Sequence, residues 1–208
     1  MMLKRAISVD ELLHKRFKTM QFEGEWSVSM GAVVERSGSW IIYGESGHGK
    51  TDFSLQLAKY LTNFGKVAYD TIEEGARLTF QKALSRQQFT KQERRRFVIL
   101  NESIDELRAR LKKQKSPDFI FIDSLQFSFI TKKQYAALVE EFPTKLFIWI
   151  SHAEGKKPQG TLGIWVEYHS DIKMRVEGFR TLVKSRYEGG EDFIINEDLA
   201  AKYWNEII

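Results

Sequence analysis

Residues 44–51 read GESGHGKT and match the pattern G-x-x-x-x-G-K-[ST] at every fixed position. The apolar run Trp40 to Tyr43 comes directly before them, and Leu55, Ala58 and Leu61 follow at helical spacing. A glycine-rich loop between a strand and a helix can wrap a phosphate with backbone N–H groups, and the positive end of the helix dipole favours the anion. The sequence therefore predicts a nucleotide-phosphate site. Its residues are Gly44, Glu45, Ser46, Gly47, His48, Gly49, Lys50, Thr51 and Asp52.

Two side chains of this loop have specific predicted roles. Lys50 is expected to reach the β- and γ-phosphates, and the Thr51 hydroxyl to bind Mg²⁺. A phosphoryl-transfer site also needs an acid at the end of a buried strand, and Asp123 directly follows the apolar run Phe119 to Ile122. Thr51 and Asp123 are therefore the predicted metal-site residues. We interpret His48 as a solvent-facing filler of the loop.

The rest of the chain alternates between apolar runs and helical patterns. The runs are 40–43, 66–69, 97–100, 119–122 and 146–150. A helix is predicted over about 76–96, and two capping boxes, Ser103 with Glu106 and Thr131 with Gln134, predict two more. Continuously apolar strands separated by helices are typical of a mostly parallel sheet covered on both faces. The predicted fold class is therefore α/β.

The last quarter of the chain has a different pattern. Residues 172–176 and 180–183, separated by Glu177 and Gly178, predict an antiparallel hairpin that extends the sheet. We expect one domain over 1–208. It comprises a helical or extended segment (1–35), a nucleotide-binding core (36–150), and a mobile loop, hairpin and C-terminal helix (151–208). A helix around Asp10 to Phe17 could pack on a neighbouring subunit or on its own sheet.

Composition narrows the class of protein. The 208 residues are 42% apolar, which is enough for a folded core, and the net charge of +4 permits nucleic acid without requiring it. The absence of cysteine excludes disulfides, zinc fingers and thiol catalysis. No apolar run approaches the roughly 20 residues that span a bilayer, and the N-terminus does not read as a secretory signal. We expect a soluble, cytoplasmic protein without a membrane partner.

Several segments together resemble the RecA-type ATPase core, in particular the branch of the bacterial RadA (Sms) recombination ATPase and the DnaB-type replicative helicases. They are GESGHGKT, VAYDTIEEG, FIFIDSLQ, FIWISHAEG and LVKSRYEGG, and they occur in the family's order between residues 40 and 190. The resemblance implies a RecA-like P-loop NTPase that hydrolyses ATP with Mg²⁺. It also implies action on single-stranded DNA in recombination, repair or replication, as a ring or filament of identical subunits in a bacterial or phage-infected cell.

The resemblance also implies residue roles. Glu73 corresponds to the general base that polarises the attacking water, and its neighbour Glu74 is the weaker candidate. His152, at the end of an apolar run, corresponds to the sensor of the γ-phosphate. Lys184 and Arg186 resemble the K-x-R whose cations reach the phosphates of a neighbouring subunit, although the family's K-N-R-F-G reads KSRYE here.

The stretch from Ala153 to Gly163 contains glycines, a proline and two lysines, which predicts a mobile loop. In RecA-like proteins the loop at this place contacts DNA. Lys156 and Lys157 are candidates for phosphate contacts, whereas Trp165 either stacks on a base or packs in the core. Seven further lysine and arginine residues are interpreted as solvent-exposed helix faces rather than as DNA contacts. They are Lys91, Arg94, Arg95, Arg96, Lys112, Lys113 and Lys115.

Two other functions fit the same phosphate loop. The first is a small-molecule or nucleotide kinase, although no compact arginine-rich lid is present. The second is an oligomeric switch, in which ATP controls assembly with a protein partner. Glu73 argues mildly against the switch, which needs no general base.

Overall fold

The structure, a computed structural model, describes residues 5–205, so the first four and last three residues of the predicted domain lie outside it. A small antiparallel pair, β1 (Thr19–Gln21) and β2 (Val33–Glu35), precedes a nine-stranded sheet. The strands of that sheet are β3 (Gly38–Gly44), β4 (Val67–Thr71), β5 (Phe97–Leu100), β6 (Phe119–Asp123), β7 (Leu146–Glu154), β8 (Lys157–Pro158), β9 (Ile172–Glu177), β10 (Arg180–Ser185) and β11 (Phe193–Ile194).

Helices connect these strands. They are α1 (Val9–Leu13), α2 (Gly24–Met30), α3 (Lys50–Leu61), α4 (Leu78–Arg86), α5 (Lys91–Arg96), α6 (Ile104–Leu111), α7 (Lys132–Glu141), α8 (Gly160–His169) and α9 (Glu197–Trp204). No helix in residues 5–205 is both long enough and apolar enough to span a membrane.

The sheet has the strand order β11-β10-β9-β3-β7-β6-β4-β5, and β8 pairs only with β7. The six strands from β9 to β5 in this order are parallel to one another, and β10 and β11 add an antiparallel extension. Gly44 of β3 lies opposite His152 of β7, and Asp123 of β6 lies opposite Thr71 of β4. The carboxyl ends of these strands therefore meet at one edge of the sheet, where α/β proteins bind ligands.

The central strands are buried on both faces. Along β3, Trp40 and Ile42 enter one apolar cluster, whereas Ile41 and Tyr43 enter the other. Because side chains alternate between the faces of a strand, a strand covered on both sides must be apolar at every position. The predicted α/β fold with a mostly parallel sheet and a C-terminal hairpin is confirmed.

The helix predicted over 76–96 is wrong, since the chain forms two helices there. α4 ends at Arg86, Gln88 adopts a left-handed conformation with φ of 49°, and α5 starts after Thr90. The Thr90 hydroxyl accepts from the backbone N–H of Glu93, and the Glu93 carboxylate accepts from that of Thr90. This capping box was visible in the sequence as T-x-x-E, and it starts a new helix inside an otherwise continuous helical pattern.

Residues 153–163 are regular rather than a loop. β7 continues through Glu154, Gly155 and Lys156 form a two-residue turn, and the chain returns as β8 before α8 begins at Gly160. Gly155 has a φ of 60°, the left-handed conformation that tight hairpin turns require. The Gly155-Lys156 pair, which joins β7 to the short strand β8, was therefore the signal that the composition argument missed.

The N-terminal segment also differs from expectation. β1, α2 and β2 form a unit that sequence analysis did not predict. α1 spans Val9–Leu13, shorter than the predicted 10–17, and none of its residues is buried. Val9 and Leu13 remain 76% and 77% exposed. Within the described chain, α1 therefore does not pack on its own sheet.

The turn between β9 and β10 offers a stability test. Gly178 and Gly155 have similar φ angles, 53° and 60°, so alanine suffers similar backbone strain at both. A Cβ at Gly178 would lie 2.2 Å from the Tyr203 ring, whereas a Cβ at Gly155 meets nothing within 4 Å. We expect Gly178→Ala to lower the free energy of unfolding by about 1–3 kcal/mol more than Gly155→Ala, measured by urea denaturation. Equal losses would show that the Tyr203 ring moves aside freely.

Candidate nucleotide-binding site

A cleft of 510 Å³ opens at the carboxyl edge of the sheet. The loop before α3 forms its floor, and the segments that follow β4 and β9, together with α4, contribute to its walls. Asp123 of β6 and His152 of β7 complete the lining. Lys50, Thr51, Glu73, Asp123 and His152 all line this one cleft. The structure thus brings together the residues predicted to bind phosphate, hold metal, activate water and sense the γ-phosphate.

The glycines of residues 44–51 give the loop its shape. Gly47 and Gly49 have φ angles of 81° and 97°, which residues with side chains rarely adopt. Gly49 caps α3, and its carbonyl oxygen accepts from the Phe53 N–H at 2.9 Å. The first N–H groups of α3 have no partner within the helix and lie beside the cleft, an arrangement suited to an anion.

Lys50 is the cation at the floor of the cleft. Its Nζ donates to the carbonyl oxygen of Glu45 at 2.9 Å. Burial lowers the pKa of Lys50, and the carboxylates of Asp123, Glu73 and Glu45 oppose that shift. A bound phosphate would favour the charged form of this ammonium group and so oppose the effect of burial on its pKa.

Asp123 ends β6 and faces the cleft. Burial is the main cause that raises the pKa of Asp123 to about 6, and nearby Glu73 raises it further; a hydrogen bond from Tyr69 and the charge of Lys50 act in the opposite direction. Without a bound cation, Asp123 therefore takes up a proton as the pH falls through about 6. The Tyr69 hydroxyl donates to Asp123 Oδ2 at 2.8 Å.

The donor set suits a hard cation. The Thr51 hydroxyl and the Asp123 carboxylate both supply oxygen, which Mg²⁺ prefers. Residues 5–205 contain no group of three or more His, Cys, Asp or Glu side chains arranged to hold a metal on their own. This pattern fits Mg²⁺, which proteins commonly bind through one or two side chains together with substrate phosphates and water.

Glu73 and His152 form a pair above the phosphate loop. His152 Nε2 lies 3.1 Å from Glu73 Oε2, and the Glu73 N–H donates to the Asp123 carbonyl oxygen at 3.1 Å. The neighbouring Glu74 is instead hydrogen-bonded by the Thr79 hydroxyl. Of the two acids, Glu73 is therefore the one joined to both the β6 end and the β7 end.

Lys184 and Arg186 lie away from this cleft. Ser185 pairs with Ile172, at the start of β9, whereas the cleft lies at the end of β9. Lys184 is exposed, and Arg186 donates to Asp171 at 2.9 Å. These two cations therefore cannot contact a nucleotide in their own chain's cleft.

The three predicted DNA contacts differ from one another in their surroundings. Lys156 is exposed in the β7–β8 turn, whereas the Lys157 ammonium lies 3.4 Å from the Glu167 carboxylate. Trp165 is half-buried between the Tyr135 ring, 5.1 Å away, and the His169 ring, 3.8 Å away. Trp165 thus follows the second of its two interpretations and packs against the core.

His48 is not a solvent-facing filler. Its Nδ1 accepts from the Gly178 N–H at 3.2 Å, its carbonyl oxygen accepts from the Phe179 N–H at 3.1 Å, and its ring lies 5.3 Å from that of Tyr203. His48 thereby links the phosphate loop to the β9–β10 turn and to α9. No local sequence pattern indicates these partners, which lie far along the chain.

Sequence analysis also missed five residues that line the cleft, namely Arg77, Thr79, Ala83, Arg86 and Phe179. Phe179 adopts a left-handed conformation with φ of 61° and lies beside Gly49, so that a Cβ at Gly49 would be 3.0 Å from its ring. Arg86 donates to Asp52 at 2.8 Å and lines the cleft. The Asp52 carboxylate is therefore engaged by an arginine of α4, while Asp52 itself lines the cleft.

Comparison with known proteins supports the fold. No protein-family profile matches the chain, and neither does any curated protein sequence. The structure is similar to that of the flagellar accessory protein FlaH from Methanocaldococcus jannaschii, with a TM-score of 0.62 and 17% identity over 87% of this chain and 96% of that one. It is also similar to the solved ATPase domain of a second protein, with a TM-score of 0.50 and 16% identity over 76% and 80% of the two chains. At such identities the likeness concerns the fold alone, an α/β fold with a mostly parallel sheet flanked by helices.

The contacts of His48 generate a prediction. His48→Ala leaves the Gly178 N–H without its acceptor, so we expect a loss of about 1–2 kcal/mol in the free energy of unfolding. Ser46→Ala, at an exposed loop position, is the matched control and should cost much less. Chemical denaturation followed by tryptophan fluorescence measures both. Equal stability of the two variants would contradict the linking role of His48.

Proposed function

We propose that this chain is an ATP-hydrolysing protein of RecA type that acts on single-stranded DNA as part of a homo-oligomer. The observation that carries the proposal is the convergence of Lys50, Asp123, Glu73 and His152 on one cleft at the end of a parallel sheet. Lys50 and Glu73 follow β3 and β4, and Asp123 and His152 belong to β6 and β7, so their meeting is a property of the fold.

The arrangement suggests how hydrolysis would proceed. Residues 44–51 hold the β- and γ-phosphates, and Lys50 lies where it can neutralise their charge. Thr51 and Asp123 would hold Mg²⁺, which supplies further neutralisation of the developing negative charge. Glu73 orients a water for in-line attack and accepts its proton.

His152 connects the chemistry to the β7–β8 turn. Its ring lies against the Glu73 carboxylate, and its carbonyl oxygen accepts from the Gln159 N–H at 2.9 Å. Loss of the γ-phosphate would release the Glu73 side chain and, with it, the His152 ring. The exposed Lys156 in that turn is the best-placed candidate to transmit the change to a DNA phosphate.

Two features support an oligomer. Lys184 and Arg186 lie far from their own cleft, so they can serve a nucleotide only in another subunit. No residue of α1 is buried, and its side chains Val9, Leu12 and Leu13 are exposed. Exposed apolar side chains grouped in this way often mark a surface that another protein surface covers. A contact between unlike surfaces of identical chains generates a ring or a filament.

The first prediction concerns the general base. Glu73→Gln should bind ATP as tightly as the parent, because the amide has the same shape, but its hydrolysis rate should fall by roughly 100-fold or more. Glu74→Gln is the matched control and should stay within severalfold of the parent. Lys50→Ala removes the cation that should neutralise the phosphates, so this variant serves as the blank in the hydrolysis assay. Phosphate release and equilibrium nucleotide binding measure these effects.

The same assay tests the DNA role. Single-stranded DNA at low salt should stimulate hydrolysis severalfold, and the stimulation should fall as salt rises, because phosphate contacts release counterions. A hydrolysis rate that DNA does not change at any salt concentration would contradict the DNA role and favour the oligomeric switch, in which ATP controls assembly with a protein partner. Transfer of the γ-phosphate to a nucleoside monophosphate would favour the kinase.

The second prediction concerns assembly. Leu13→Asp places a charge in the exposed apolar surface of α1, so we expect the oligomer to dissociate. Lys15→Asp, two residues away and also exposed, changes the charge outside α1 and serves as the control. Light scattering after size-exclusion chromatography measures the mass. A parent that is monomeric with and without nucleotide would exclude the oligomer, and equal masses of parent and Leu13→Asp would exclude this role of α1.

A further inference from the structure

A row of buried hydroxyl groups connects the two halves of the predicted metal site. Ser54, in the first turn and a half of α3, lies with its Oγ 2.9 Å from the Tyr69 hydroxyl and 2.9 Å from the Thr51 carbonyl oxygen. Tyr69 in turn donates to Asp123 Oδ2 at 2.8 Å. The row thus runs from the residue that carries the loop hydroxyl to the carboxylate at the end of β6.

We propose that Tyr69, backed by Ser54, is a positioning residue that orients the Asp123 carboxylate toward the metal of the bound nucleotide. This inference rests on the proposed nucleotide function and adds a residue to it. Tyr69 contacts neither nucleotide nor metal, so it acts only through Asp123.

The direction of the hydrogen bond between Tyr69 and Asp123 is fixed when Asp123 is ionised. A carboxylate can only accept, so the single hydroxyl proton of Tyr69 points to Asp123. The Tyr69 oxygen can then only accept from Ser54, whose single hydroxyl proton can go either to Tyr69 or to the Thr51 carbonyl oxygen. When Ser54 donates to Tyr69, both protons point toward the carboxylate, and hydrogen bonds aligned in this way strengthen one another.

The geometry leaves one carboxylate oxygen for the metal side. Oδ2 is occupied by the Tyr69 hydroxyl, whereas Oδ1 accepts from no side chain or backbone group of residues 5–205. Asp123 lines the cleft together with Thr51 and Lys50. With Oδ2 held by the Tyr69 hydroxyl, rotation of the carboxylate is restricted and Oδ1 is left to accept a metal ion.

Tyr69 is held rigidly enough for this role. Its side chain is fully buried, and its ring stacks on that of Phe121 at 5.5 Å with an angle of 10° between the planes. The Phe80 ring contacts it at 5.3 Å. Removing only the hydroxyl therefore keeps the packing of the ring, so Tyr69→Phe tests the hydrogen bond by itself.

The experiment measures binding of a fluorescent, non-hydrolysable ATP analogue to the full chain in EDTA and across a Mg²⁺ titration. We expect Tyr69→Phe to keep the parent's affinity in EDTA within about twofold and to need about tenfold more Mg²⁺ for half-maximal enhancement. A charge-assisted hydrogen bond is strong enough for such a change. Ser54→Ala should shift the Mg²⁺ requirement in the same direction by a smaller factor.

Tyr43→Phe is the matched control. The Tyr43 hydroxyl is also buried and also donates to a carboxylate, Glu167 Oε1 at 3.0 Å, but that carboxylate is not part of the predicted metal site. The Tyr43→Phe variant should lose stability and keep the parent's Mg²⁺ requirement. Thermal unfolding of each variant separates the two effects.

Three results would overturn the inference. The first is a parent-like Mg²⁺ requirement in both Tyr69→Phe and Ser54→Ala. The second is an equal loss of affinity with and without Mg²⁺, which would indicate a distorted phosphate loop. The third is a parent protein whose affinity for the ATP analogue does not respond to Mg²⁺, and this result would also count against the proposed function. In the first two cases, ATP hydrolysis by the parent protein would show that the proposed function still holds.

Discussion

The parallel register of β3, β7, β6 and β4 is the constraint on which the candidate site depends. It places the carboxyl ends of four strands at one edge, so that polar residues following distant apolar runs meet there. The contact of Glu73 with His152 and that of Tyr69 with Asp123 each join two of these strands or their ends. Since side chains alternate along a strand, a one-residue slip of β6 would turn Asp123 to the opposite face and dismantle the site.

Much of this arrangement could be predicted from local sequence. Continuous apolar runs identify strands buried on both faces, and the glycine pattern of residues 44–51 fixes where the phosphate loop lies. Given a parallel sheet, the residue that follows each run must lie at the ligand edge. Asp123 was found by that reasoning because it directly follows an apolar run, whereas the role of His152 was implied by the resemblance to the RecA-type core.

The features that the sequence analysis missed have two physical origins. In two places a short sequence pattern lies inside a longer one that predicts something else. The Thr90 capping box lies inside a longer helical pattern, and Gly155 lies inside a stretch whose composition is typical of a loop. Other features depend on contacts between segments remote in sequence. The partners of His48 and the hydroxyl row from Ser54 to Asp123 are examples, since neither segment alone carries a pattern that indicates the other.

The close approach of Gly178 to Tyr203 has a consequence for how relatives of this chain can diverge. The Tyr203 ring occupies the volume that any side chain at position 178 would need. A larger residue at 178 becomes acceptable only if position 203 becomes small, and the His48 ring then loses its aromatic neighbour. Positions 178, 203 and 48 are therefore expected to vary together, so that the phosphate loop and the C-terminal helix evolve as a single unit.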